Sequence, residues 1–257
     1  MMFEGTSRYY RRFRPPVAEA AVDTISAAVP AINVLLDLGT GTGQVLQALG
    51  PQVRELMIGV DPDTDMLAQA EENLASRSWD AAWRLLPVAA EAAPQLDWPA
   101  ADVVTVCRAF HWMDQPRVME NTRLQLRDGG LFVVMGDGSL WRDDLEWTAA
   151  LTAVVRKYLG PRRRAGMSTF SHHSVPYADV LASGGFREVR VIEHWFERVW
   201  TPEQVLGYLY STSFSAPALY GDRRDAFESD LLTALHESSG GGVLVEDVNF
   251  ELVMGIK

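Results

Sequence analysis

Residues 34–43, VLLDLGTGTG, constrain the fold more than any other stretch of the chain. Val34-Leu35-Leu36 is a short apolar run bounded by loop residues, the pattern of a strand buried on both faces of a parallel sheet. Asp37, Gly39, Thr40, Gly41, Thr42 and Gly43 continue it directly, and a helical pattern begins near residue 44, so the glycines occupy a strand-to-helix turn. Glycine at alternate positions lets the backbone turn tightly and leaves room for a ligand to reach main-chain atoms. A dinucleotide fingerprint, G-x-G-x-x-G, fails here. Counted from Gly39 and Gly41 its last place falls on Gln44, and counted from Gly41 and Gly43 it falls on Leu46. The pattern present is D-x-G-x-G-x-G, with a glycine-rich turn holding no ligand as the bland alternative.

Apolar periodicity predicts helices over 17–28, 44–50, 63–75 and 115–126, with strands at 56–60, 82–86, 102–107 and 130–136. Strand alternating with helix implies a doubly wound parallel sheet. Right-handed crossovers bring the loops after strands one, two and four to its carboxyl edge, where such sheets bind ligands. Beyond Asp137 the pattern becomes helix-rich, with helices near 145–159, 176–183, 202–210 and 222–237 and a polar basic stretch at 162–174. Residues 186–196 and 246–256 alternate apolar with polar and are expected to finish the sheet as an antiparallel pair. One domain spanning 1–257 is expected. It divides into an N-terminal cap (1–30), a cofactor-binding core (31–137) and helical insertions (138–185 and 199–242) that cover the substrate.

With 34 acidic against 23 basic side chains, the net charge of −11 repels phosphate backbones and anionic membranes, which argues against a nucleic-acid partner. Cys107 is the only cysteine, so no intrachain disulfide is possible. The first sixteen residues lack the apolar run of a secretory signal, and no later stretch reaches the length of a membrane span. A cytoplasmic protein is the simplest expectation. No H-E-x-x-H or C-x-x-C pattern occurs, and no metal is expected.

Asp61 ends the second strand about twenty residues after the first glycine, the distance at which nucleotide-binding sheets place an acid on ribose hydroxyls. It also precedes Pro62, Asp63 and Asp65, so a helix-capping role competes. Capping by Asp63 or Thr64 would reconcile the two.

The D-x-G-x-G-x-G turn followed by this acid resembles motif I of class I S-adenosylmethionine-dependent methyltransferases, and the resemblance implies a Rossmann-like fold: a doubly wound, seven-stranded, mostly parallel sheet with an antiparallel C-terminal pair and helical insertions over the carboxyl edge. Residues 88–114 are similar to the family's G-D-A-E-x-L-P, D-x-V and H-W stretches, matching at Ala90, Glu91 and Pro94 but carrying Ala89 where many relatives have an aspartate. His111 to Asp114 looks like the H-W-x-D segment of small-molecule enzymes of the trans-aconitate methyltransferase type. Tyr10 to Pro15 resembles their Y-x-x-Y-R-P element, with Phe13 where tyrosine is commoner. The cofactor set implied is Tyr10, Arg14, Asp37, Gly39, Thr40, Gly41, Gly43, Asp61, Pro62, Met66, Ala90, Glu91, Arg108 and Ala109, with S-adenosylmethionine as cofactor.

Several of these residues carry a second reading. Met66 serves adenine or the core, His111 and Trp112 flank the cofactor or pack, and Tyr10 to Arg14 close the site or form an exposed basic segment. His111, His172 and His173 are the candidate catalytic bases; the last two sit beside Arg162, Arg163 and Arg164, either an anion-holding cluster or a solvated loop. The expected partner is a small-molecule acceptor, most directly an oxygen, on a monomer or homodimer. A cofactor-binding or cyclase-like protein on the same fold is the alternative.

Overall fold

The computed structural model describes residues 5–95, 98–162, 164–165, 168–169 and 175–257. In chain order its first half runs α1 (Ser7–Phe13), α2 (Glu19–Ala28), β1 (Ile32–Leu38), α3 (Gln44–Leu49), β2 (Val53–Val60), α4 (Thr64–Ala75), β3 (Ala82–Leu86) and β4 (Ala101–Cys107). There follow α5 (Gln115–Gln125), β5 (Leu126–Asp137), α6 (Glu146–Leu159), α7 (Tyr177–Ser183), β6 (Arg187–Trp200), α8 (Pro202–Tyr210), α9 (Arg224–Ser238) and β7 (Leu244–Ile256). A separate pair of two-residue strands, Arg164–Ala165 and Ser168–Thr169, lies between α6 and α7.

The long strands form one seven-stranded sheet in the order β3-β2-β1-β4-β5-β7-β6, the Rossmann-like arrangement expected from the sequence. β1 pairs in parallel with β2 and β4, β2 with β3, and β4 with β5, whereas β7 runs antiparallel to β5. Strand order reverses between β1 and β4, and at such a switch point the loops beyond the carboxyl ends leave a crevice.

The chain divides into two compact units, one of Pro16–Asp137, His173–His194 and Asn249–Lys257, the other of Met1–Pro15, Gly138–His172 and Trp195–Val248. In the first, side-chain alternation along each strand feeds two cores. Leu35, Val103 and Val133 pack with Ala21 and Ile25 of α2 and Val45 and Leu49 of α3. Their sequence neighbours Leu36, Val104 and Phe132 join Val118 of α5 and Leu181 of α7 in the other core. The helix near 176–183, grouped with the insertion by sequence, thus packs within the sheet unit.

The second unit is built on Trp147, Leu151 and Val155 of α6, Val205 and Leu209 of α8, and Phe227, Leu231 and Leu235 of α9. Helix α8 starts at a capping box: the Thr201 hydroxyl accepts from the Gln204 amide at 3.2 Å, and the Gln204 side chain accepts from the Thr201 amide at 2.9 Å. Helix α1 was not foreseen. The spacing of Tyr9 and Phe13 gives it an aromatic side; the Phe13 ring lies where a β-carbon on Gly207 would stand, so α1 meets α8 at that glycine. The Arg14 guanidinium lies 5.3 Å from the Tyr10 ring centre and 4.9 Å from that of Tyr208.

One buried carboxylate organises the amino ends of the central strands. Asp102 accepts from the amides of Asn33 and Val34 at 2.6 and 2.7 Å, and its other oxygen pairs with Arg127 at 2.7 Å. Replacing it strands two amides and a cation, and hydrogen bonds to a buried charge contribute about 1.5–3 kcal/mol each. Asp102→Ala is expected to lower stability by about 3 kcal/mol in urea unfolding, against less than about 1 kcal/mol for Arg127→Ala, whose side chain is half exposed.

Candidate functional site

The turn after β1 is fastened to the end of β2. The amides of Gly39 and Thr40 donate to the Val60 carbonyl at 2.8 and 2.9 Å, and the Gly41 amide donates to Asp61 Oδ2 at 2.9 Å. Asp61 Oδ1 accepts from the Asp63 amide at 2.9 Å. The cap of α4 is a different carboxylate, Asp63, which accepts from the amides of Asp65 and Met66. Asp61 is therefore not the helix cap. Burial raises its pKa above the ordinary carboxylate value, against the pull of the two backbone donors.

Gly39, Gly41 and Gly43 all have positive φ, a region where other residues are strained. Two of them are also confined or exposed in ways that differ. A β-carbon on Gly39 would stand 2.8 Å from the Ala109 β-carbon and 3.0 Å from Met113 Cε, so this glycine lets the loop after β4 close on the turn. A β-carbon on Gly41 meets nothing within 4 Å, leaving open space above the main chain.

Asp37 is buried at the end of β1 and accepts from the Thr105 hydroxyl at 2.8 Å. Its Oδ2 and the Thr40 hydroxyl, both buried, complete no hydrogen bond of good geometry, although Thr40 lies near enough to favour the ionised form. Burial pushes the Asp37 carboxyl up to about 7; the Thr40 and Thr105 hydroxyls oppose this, while the Asp61 charge adds to it.

Arg108, after β4, has φ of 56°, an uncommon value for a non-glycine residue. Its buried guanidinium pairs with Asp137 at 2.5 Å and donates to Gln44 Oε1 at 3.2 Å. The side chain is turned to β5 and α3, while the Ala109 β-carbon and Met113 Cε lie beside Gly39. Sequence reasoning singled out Arg108 but missed Gln44, Asp137, Thr105 and Met113. Asp137 was findable as an acid ending a central strand at the carboxyl edge; the others carry no local signal.

Phe110 is core, packed edge-on against Phe132 and Tyr177. His111 lies against Trp112, with ring centres 4.5 Å apart. Asp114 caps α5, and its own amide donates to Glu91 Oε1 at 2.8 Å, while the Glu91 carbonyl accepts from Asn121 at 2.8 Å. Glu91 thus ties the His111–Asp114 segment to the preceding loop. Ala90 and Met66 are buried and Pro62 is exposed. Tyr10 and Arg14 belong to the helical unit. His172 and His173 lie outside the described residues. Among the described residues no group of three or more His, Cys, Asp or Glu is placed to hold a metal ion, and no described helix is long and apolar enough to cross a membrane.

A methyltransferase-domain family model matches residues 36–132, from β1 into β5. The chain is 28% identical over 127 residues to CRG1 of Saccharomyces cerevisiae, described as an S-adenosylmethionine-dependent methyltransferase; the match covers 49% of this chain and 43% of CRG1. A Dictyostelium discoideum methyltransferase is likewise covered over 49% of its length, so the chain matches less than half of either relative. Rv3342, a methyltransferase of Mycobacterium tuberculosis, is 30% identical over 180 residues, covering 67% of this chain and 68% of that one. In overall fold the chain is similar to a solved structure from Anaeromyxobacter dehalogenans described as a type II methyltransferase, with a TM-score of 0.61 at 24% identity, covering 95% and 97% of the two chains. The chain belongs to the class I S-adenosylmethionine-dependent methyltransferase family.

The raised Asp37 pKa gives a signed expectation. Its ordinary value is 3.8 and its folded value about 7, so between these the folded state holds a proton that the unfolded state has lost. Stability of the ligand-free protein then falls as pH rises from about 4 to 7 and levels off above, by a few kcal/mol at about 1.4 kcal/mol per pKa unit. Urea unfolding at pH 5 and pH 8 is expected to show this loss in the parent and a much smaller one in Asp37→Asn. Equal slopes in the two proteins would remove Asp37 as the cause.

Proposed function

We propose that the chain transfers a methyl group from S-adenosylmethionine to a small-molecule acceptor, most directly a carboxylate or hydroxyl oxygen, by in-line displacement. The observation that carries this reading is the acid-lined glycine turn. Asp61 accepts one backbone N–H on each oxygen, and a carboxylate has about four acceptor sites, so capacity remains for a ribose diol. Asp37 offers a buried oxygen that lacks a well-formed hydrogen bond, and the two acids favour a cationic ligand at this turn. The open space above Gly41 admits a ligand to the main chain. These features fit the cofactor.

In the proposed assignment Asp61 holds the ribose hydroxyls, residues 39–43 present their main chain, and Asp37 faces the cofactor's ammonium group. Pro62, Met66 and Ala90 flank adenine, with Glu91 contributing through its backbone because its carboxylate is engaged by Asp114. Arg108 and Ala109 approach through the main chain, and Tyr10 and Arg14 are assigned to cofactor closure by the resemblance to the trans-aconitate methyltransferase type. The single-domain organisation and a cytoplasmic setting belong to the same proposal.

S-adenosylmethionine supplies a methyl group made electrophilic by its sulfonium. The chain's task is alignment, which in well-oriented intramolecular systems is worth up to roughly 7–11 kcal/mol. A carboxylate acceptor is already ionised near neutrality and asks no base of the protein. For a hydroxyl acceptor, His111 is the proposed base among the described residues, with His172 and His173 as the sequence's further candidates.

The test uses methyl-labelled S-adenosylmethionine with panels of small carboxylic acids and phenols. Label transferred to an extractable product supports the reading, and cofactor binding with no transfer to any acceptor in a metabolite extract opposes it. In calorimetry Asp61→Ala is expected to weaken S-adenosylhomocysteine binding at least tenfold. Unchanged affinity would remove the ribose assignment.

A further inference from the structure

Arg108 gathers backbone strain and buried charge at the carboxyl edge of the sheet. Glycine takes a φ of 56° without strain, and arginine does not. The pair with Asp137 leaves 3% and 5% of the two side chains exposed, so both charges give up hydration. The surrounding strands nonetheless make room for this side chain. A β-carbon on Gly136 would stand 3.1 Å from Arg108 Cγ, and the guanidinium lies 5.6 Å from the ring centre of Phe250, which opposes Asp137 in β7. Strain of this kind is found at ligand clamps, where the side chain returns something to the site.

The groups that Arg108 joins indicate what is returned. Asp137 ends β5 and accepts from Nε, whereas Gln44 opens α3 and accepts from Nη1 at 3.2 Å. One guanidinium thus reaches from the end of β5 to the helix that follows β1, across the switch point between β1 and β4. The next residue, Ala109, has its β-carbon 2.8 Å from where one on Gly39 would stand. Gly39 lies near the start of the glycine turn and Gln44 just beyond its end, so the segment 108–109 touches both sides of it.

We infer that Arg108 is a positioning residue for the cofactor turn, its bridge from Asp137 to Gln44 setting the spacing between that turn and the loop after β4. The role rests on the cofactor reading of the turn. An ion pair that served the sheet alone would engage Asp137 and leave Gln44 out. The residue type also follows from the bridge. A lysine ammonium would bring the charge to Asp137, but it lacks the planar fork that serves two acceptors from two nitrogens. Gly136 contributes from outside the turn, because its missing side chain is the space that the Arg108 stem occupies.

Calorimetry with S-adenosylhomocysteine and amide hydrogen exchange of the ligand-free protein test this role together. Arg108→Lys and Gln44→Met are each expected to weaken binding about tenfold, and the double variant to lose no more than the larger single loss, since both remove one bridge. Exchange across residues 38–46 is expected to quicken in both. Gln44 is half-buried, so Gln44→Met is expected to leave the melting temperature unchanged. Gln44→Glu keeps an acceptor for Arg108 and is expected to keep exchange slow. Gly136→Ala, which crowds the Arg108 stem, is expected to weaken binding in the parent but not in Arg108→Gly. Additive losses in the double variant, or parental affinity in both Gln44→Met and Arg108→Gly, overturn the positioning role alone. A parent that binds no S-adenosylhomocysteine overturns the cofactor reading and the positioning role with it.

Discussion

The bond from the Gly41 amide to the Asp61 carboxylate is the constraint on which the candidate site depends. It joins the turn after β1 to the end of β2, two points separated by twenty residues in sequence. The sheet makes it possible: Leu38 lies in register with Val60, so both strands finish side by side, and the Val60 carbonyl collects the amides of Gly39 and Thr40. The loop is thus held by the Val60 carbonyl, the Asp61 carboxylate and the Asn73 side-chain amide, not by side chains of its own. The turn is therefore set by the fold itself.

Most of this was legible because parallel strands announce themselves. Short apolar runs such as Leu56–Val60 and Val103–Val106 are buried on both faces, and their boundaries fall where polarity or glycine begins. β5 began earlier than its apolar run suggested. The sequence placed Leu126 at the end of the preceding helix and began the strand at Gly130, yet Arg127 is held by Asp102 and the Gly130 carbonyl accepts from the Lys257 amide at 3.0 Å. Those partners are distant in sequence, and no local pattern encodes them. The cap of α4 was readable as Asp63 or Thr64 because both are local to one helix start, and the structure assigns it to Asp63. The Arg108, Asp137 and Gln44 cluster was not, since its members are separated by 29 and 64 positions. In β6, alternation told which residues share a face; whether anything covers that face is a property of the rest of the molecule.

Arg108 combines two costs. A non-glycine residue at positive φ stores strain, and an ion pair with both side chains buried gives up hydration. Such costs persist where the surroundings over-determine them. Here the guanidinium is held by Asp137 and by Gln44, the residue that follows the glycine turn, while Gly39 meets the side chains of Ala109 and Met113.

The approach of Gly39 to Ala109, where even one added methyl group would lie 2.8 Å from its neighbour, makes the two positions a single steric unit with Met113. Their volumes cannot vary independently. Across related sequences, a larger residue after β4 is expected only alongside glycine at the turn and a smaller residue in place of Met113, a covariation linking segments about seventy residues apart.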